Sequence, residues 1–89
     1  MNSSEILVDI HALEEELLEL ERKYGIRSEV FYSAYMNGEE PEDDSLTLDF
    51  GEWASIYRTW LTRQGQYRNQ IQREQQQNRN LFQLIRKAV

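Results

Sequence analysis

The chain has 89 residues, sixteen acids against ten bases, and no cysteine. That length allows one small domain, which buries a modest fraction of its surface and often leans on a partner for stability. The missing cysteines exclude a disulfide framework and a thiolate metal site, and they fit a reducing, cytoplasmic setting. No stretch approaches roughly 18 uninterrupted apolar residues, and MNSSEILVDI lacks a basic region before an apolar one. Neither a membrane span nor a secretory signal is therefore expected.

The net charge of −6 hides an asymmetry. Residues 1–52 hold fifteen acids and three bases, a net of −12, whereas residues 53–89 hold one acid and seven bases, a net of +6. The halves should attract each other, which favours a chain folded back on itself. An acidic face left over for a basic partner is the functional alternative.

Ser3 or Ser4 is placed to cap a first helix over 4–24, with Glu5 in its first turn. Ile6, Ile10, Leu13, Leu17, Leu20 and Tyr24 repeat at alternating four- and three-residue steps and form a continuous apolar seam. Arg22 and Lys23 suit the negative end of the helix dipole, and Gly25 can take the left-handed conformation that ends it. His11 lies off the seam with no His or carboxylate set around it, so it reads as a solvent-facing residue. Ser28 and Glu29 open a short second helix, 29–37, which supplies Val30, Phe31 and Tyr35 to the core and stops at Gly38. Ile26 is the apolar residue joining the two helices.

Glu39, Glu40, Glu42, Asp43 and Asp44 surround Pro41 in an acidic loop. The loop lacks the central glycine and distal acid of a calcium site, so a solvated acidic face is expected there. Ser45 to Phe50 alternates polar and apolar residues at period two and reads as an extended linker, with Leu46 and Leu48 tucked against helices. Asp49 then caps a long helix, and Glu52 completes the capping box. Its seam from Trp53 has eleven positions, eight of them apolar or aromatic, with a weak polar middle. One continuous helix to the end would be roughly 58 Å long.

The aromatic half, 50–67, is expected to pack on the first helix, with Gly65 the natural place for a kink. Between Arg68 and Asn80 only Ile71 is apolar, so 68–89 is read as a polar extension ending in an apolar tip. The expected fold is all-α: a coiled-coil-like antiparallel hairpin of two long helices, a short helix between them, and an extended C-terminal helix. Trp53, Tyr57, Trp60, Tyr67 and Ile71 on the stripe, with Leu81, Phe82 and Ile85 at the tip, are the candidate partner-binding residues.

Catalytic chemistry is not legible. One histidine, no Gly-rich phosphate loop and no metal-ligand spacing leave no candidate catalytic, metal or cofactor site. Arg58, Arg63, Arg68 and Arg73 recur every five residues and spiral around the helix, a weak footprint for RNA or DNA.

The stretch Leu20–Trp60 carries Lys23-Tyr24-Gly25 at the end of a Glu-rich helix, Phe31, the Gly38-Glu39 turn and the Glu52-Trp53 pair. In these it resembles small bacterial and cyanobacterial antitoxin-like proteins. The resemblance implies a non-catalytic, cytoplasmic partner that neutralises a basic, ribonuclease-type toxin encoded by the neighbouring gene. The acidic loop would supply steering, and Leu81, Phe82 and Ile85 would supply anchors. A self-associating coiled-coil adaptor, homodimeric through the long helix, is the alternative; nucleic-acid binding by the basic helix is a third.

Overall fold

The computed structural model describes residues 2–77 together with Leu81 and Ile85. The fold is all-α. Helix α1 spans Ser3–Tyr24, α2 spans Ser28–Met36, and a single 3-10 turn at Asp44–Leu46 leads into α3, Thr47–Gln76.

Helix α1 is capped by Asn2, whose side chain accepts a hydrogen bond from the Glu5 amide at 2.9 Å. The cap thus falls just before the expected serines. Ser3 is already helical, and its hydroxyl turns inward to donate to the Glu74 carboxylate at 3.0 Å. At the other end Gly25 takes φ +75°, and its amide donates to the Glu21 carbonyl at 2.8 Å. The seam faces inward as its spacing predicts, with Ile6, Ile10 and Leu17 buried and His11 exposed.

The start of α3 corrects the expected linker. Leu46, Leu48 and Phe50 would share one face of a strand, but in the observed turn and helix Leu48 is 80% exposed while Leu46 and Phe50 are half-buried. A helix places Phe50 one turn before Trp53, so both rings enter the same core, which outweighs the local alternation. Asp49 is consequently no cap. It lies in the first turn of α3 and accepts hydrogen bonds from Lys23 Nζ, at 2.8 Å, and from the Tyr24 hydroxyl. Helix α3 continues through Gly65 without a break.

Helices α1 and α3 run antiparallel, joined by Ser3 to Glu74, Asp9 to Arg63 at 3.3 Å, Glu14 to Trp60 and Tyr24 to Asp49. The first helix therefore covers more than the aromatic half of α3. Its 22 residues reach roughly 33 Å, enough to bring Ser3 alongside Glu74, which is buried although it lies in the polar stretch.

Helix α2 closes the end of the hairpin. Phe31 stacks on Trp53 with ring centroids 3.9 Å apart and planes 3° from parallel, and Tyr24 stacks on the same indole at 5.6 Å. Phe50 meets Phe31 and Tyr24 edge-on. Trp53 and Ala54 have no exposed surface. A buried indole needs a partner for its N–H. Trp53 Nε1 donates to Ser28 Oγ at 3.0 Å, and that hydroxyl donates to Glu21 at 2.7 Å. The Glu21 carboxylate also accepts the Ser28 amide at 2.9 Å and so caps α2 from the neighbouring helix.

These contacts make stability depend on pH. Burial opposes ionisation of Glu21, but the Ser28 hydroxyl, the Ser28 amide and the Arg27 charge outweigh it and hold its carboxyl below the ordinary value of 4.5. The hydrogen bonds from Lys23 and then Tyr24 hold Asp49 below 3.8. Lys23 and Tyr24 are both raised, each chiefly by its hydrogen bond to Asp49. The carboxylates contribute stability that is present above their unfolded values and is lost as pH falls through the lower folded ones. Lys23 and Tyr24 contribute stability that is complete below their unfolded values and is lost as pH rises through the higher folded ones. Thermal melts should show a plateau from about pH 5 to 9 with a decline on each side. Asp49→Asn should flatten the alkaline decline, and an unchanged alkaline limb would show that the Asp49 contacts do not control it.

Candidate protein interface

The acidic loop is fixed at both ends by backbone geometry. Gly38 takes φ +86°, which lets the Glu39 amide turn back to the Ala34 carbonyl at 3.2 Å and end α2. Asp43 is held below the ordinary carboxylate value by the Ser45 amide, which donates to it at 2.9 Å and starts the 3-10 turn. Its role is structural. Glu39, Glu40, Glu42 and Asp44 make no side-chain hydrogen bond or ion pair among the described residues, and all four are exposed.

Three of those acids border apolar ground. Glu39 and Glu40 line a cleft of about 250 Å³ whose walls include Tyr24, Phe31, Tyr35 and Phe50. With Asp44 they also line an adjoining cleft of about 470 Å³ that shares Tyr35 and Phe50. The aromatic core thus surfaces at the acidic loop. Ile26 lines the smaller cleft and stays 43% exposed rather than sealing the α1–α2 joint.

Among the described residues, the expected attraction between the two halves of the chain leaves this loop without a paired cation. Among the described residues, Asp9–Arg63 is the ion pair that joins the acidic half to the basic half. Lys23–Asp49 and Arg27–Glu29 lie within the acidic half. Arg63 and Arg73 also donate to Gln66 and Gln70 of their own helix.

The stripe residues separate. Trp53 is buried beneath Phe31 and its neighbours and serves the chain's own core, and it is among the residues behind the cleft at the acidic loop. Tyr57 and Trp60 are half-buried with rings 5.5 Å apart, and both line a groove bordered by α1 and α2. Tyr67 and Ile71 are half-buried farther along α3. Leu81 and Ile85 are 65% and 57% exposed and sit one helical turn apart, the Ile85 amide donating to the Leu81 carbonyl at 3.0 Å. Phe82 lies outside the described residues.

The Glu21–Ser28–Trp53 network and the contact between Glu14 and the Trp60 indole do not follow from residue spacing alone. A signal existed: Glu21 follows Leu17 by one turn, at the flank of the seam, just before the Gly25 turn returns the chain. Among the described residues no group of three His, Asp or Glu side chains is arranged to hold a metal ion, and no helix is long and apolar enough to cross a membrane. No protein-family model, curated protein or solved structure matches the chain.

Proposed function

We propose that the chain is a non-catalytic protein-binding protein, an antitoxin-like partner that neutralises a basic, ribonuclease-type toxin. The observation that carries this reading is the acidic loop, without a paired cation among the described residues, bordering the aromatic clefts. Glu39, Glu40 and Asp44 present negative charge beside Tyr35 and Phe50, so a partner rich in Lys and Arg gains both steering and apolar contact. A ribonuclease must carry such a basic surface to hold RNA phosphates, and carboxylates placed there compete with the substrate.

The test is the association rate with the product of the neighbouring gene. Replacing Glu39 and Glu40 with Gln and Asp44 with Asn should slow association at low salt by about tenfold or more and flatten its salt dependence. An unchanged rate would refute charge mimicry.

One observation favours a second reading, a self-associating adaptor. The apolar pair Leu81 and Ile85 remains exposed, as an interface between copies would require.

A further inference from the structure

The groove over Tyr57 and Trp60 differs in character from the acid-rimmed clefts. It lies beside the start of α2, where Leu17 and Leu18 of α1 meet the two rings of α3, and it encloses about 250 Å³. That is below the roughly 300–1,000 Å³ typical of small-molecule pockets, and it suits a single side chain. Its charged lining is Glu14, Glu21 and Glu29 against one cation, Arg27.

The lining charges are not equally engaged. Glu21 is occupied by Ser28. Arg27 is 74% exposed along its side chain and reaches Glu29 only at 3.7 Å. Glu14 accepts the Trp60 indole N–H through one oxygen at 3.3 Å, and its other oxygen makes no hydrogen bond among the described residues. Two carboxylates therefore flank aromatic surface with acceptor capacity to spare.

We propose that this groove receives an arginine side chain from a basic segment of the partner protein. The planar guanidinium stacks on the exposed ring surface of Trp60 and Tyr57, its aliphatic stem covers Leu18, and its N–H groups reach Glu14 and Glu29. Arginine is favoured over lysine because its fork pairs with carboxylates, its plane stacks on rings, and it is less strongly hydrated. The proposal rests on the reading that the partner is a basic protein.

The test uses the whole chain and a capped peptide, Gly-Ser-Arg-Ser-Gly, with lysine and glutamate versions as controls. The two tryptophans report separately by NMR: Trp60 Nε1–H contacts Glu14 at the groove, and Trp53 Nε1–H is buried against Ser28. The Arg peptide should shift the Trp60 indole signal saturably and leave that of Trp53 in place. The Lys peptide should bind about tenfold more weakly, and Glu14→Gln with Glu29→Gln should weaken the Arg peptide by about tenfold or more. Both glutamates are exposed, so the double variant keeps the fold, checked by its helical circular dichroism. A Trp60 signal unmoved by the peptide, or equal binding by the double variant, would overturn the proposal. So would a Trp60 shift produced by concentrating the chain alone, since the occupant would then be a second copy. A chain that binds the Arg peptide at Trp60 yet ignores the neighbouring gene's product would sink the functional reading and leave the groove standing. Undiminished binding of that product by the double variant would sink the groove alone.

Discussion

Trp53→Ala should unfold this protein or come close to it. The indole has no exposed surface, stacks on Phe31 and Tyr24, and meets Phe50 edge-on, so its removal withdraws the piece that all three helices share. Truncating a buried aromatic typically costs about 3–5 kcal/mol. In a domain of this size that lowers the melting temperature by roughly 12–40 °C. Thermal denaturation followed by circular dichroism measures it directly. Trp60→Ala gives the contrast, because that ring is half-exposed in the groove and holds no comparable position. Equal losses from the two substitutions would mean that the core does not centre on Trp53.

Ser28→Ala should be nearly as damaging, although it removes one oxygen. That oxygen accepts from Trp53 Nε1 and donates to Glu21, so its loss leaves a buried indole N–H without an acceptor and deprives Glu21 of one of its two donors. An unsatisfied buried donor costs about 1–3 kcal/mol, and a hydrogen bond to a charged group contributes about 1.5–3 kcal/mol. The expected loss is roughly 2–4 kcal/mol, read from urea denaturation midpoints. Ser33→Ala, the same chemical change at an exposed position of α2, should stay within about 0.5 kcal/mol. A mild effect at Ser28 would show that water replaces the hydroxyl and that the network contributes little.

The hairpin was legible because its determinants are local. The α1 seam, the Gly25 stop and the Gly38 stop each follow from residue spacing and backbone freedom. The start of α3 was not, because Leu46, Leu48 and Phe50 satisfy a period of two while Leu46 and Phe50 also stand one helical turn apart. Only the aromatic core, assembled from α1, α2 and α3, decides between those patterns. The same limit explains the partner-binding residues. Trp53 and Trp60 lie on one stripe seven residues apart, and nothing in the stripe says which of them Phe31 will cover. The reach of α1 to Glu74 was hidden because Ser3 looked like a cap, whereas Asn2 fills that role and frees the serine hydroxyl to meet a carboxylate.

The acidic loop was legible as composition, but its use depends on packing. The charge asymmetry predicts attraction between the two halves of the chain, and the loop itself reads as a solvated acidic face. Arg63 pairs with Asp9, and Glu39, Glu40 and Asp44 stand beside the half-buried rings of Tyr35 and Phe50 with no paired cation among the described residues. That arrangement underlies the proposal of a basic protein partner.

The most direct test of that proposal is the mass in solution, by light scattering, of the chain alone and mixed with the product of the neighbouring gene, at low and high salt. The expected result is a monomer alone and a heteromeric complex on mixing, which weakens as salt rises. A stable dimer of the chain alone that ignores the second protein at both salt levels would contradict it and establish the self-associating adaptor instead.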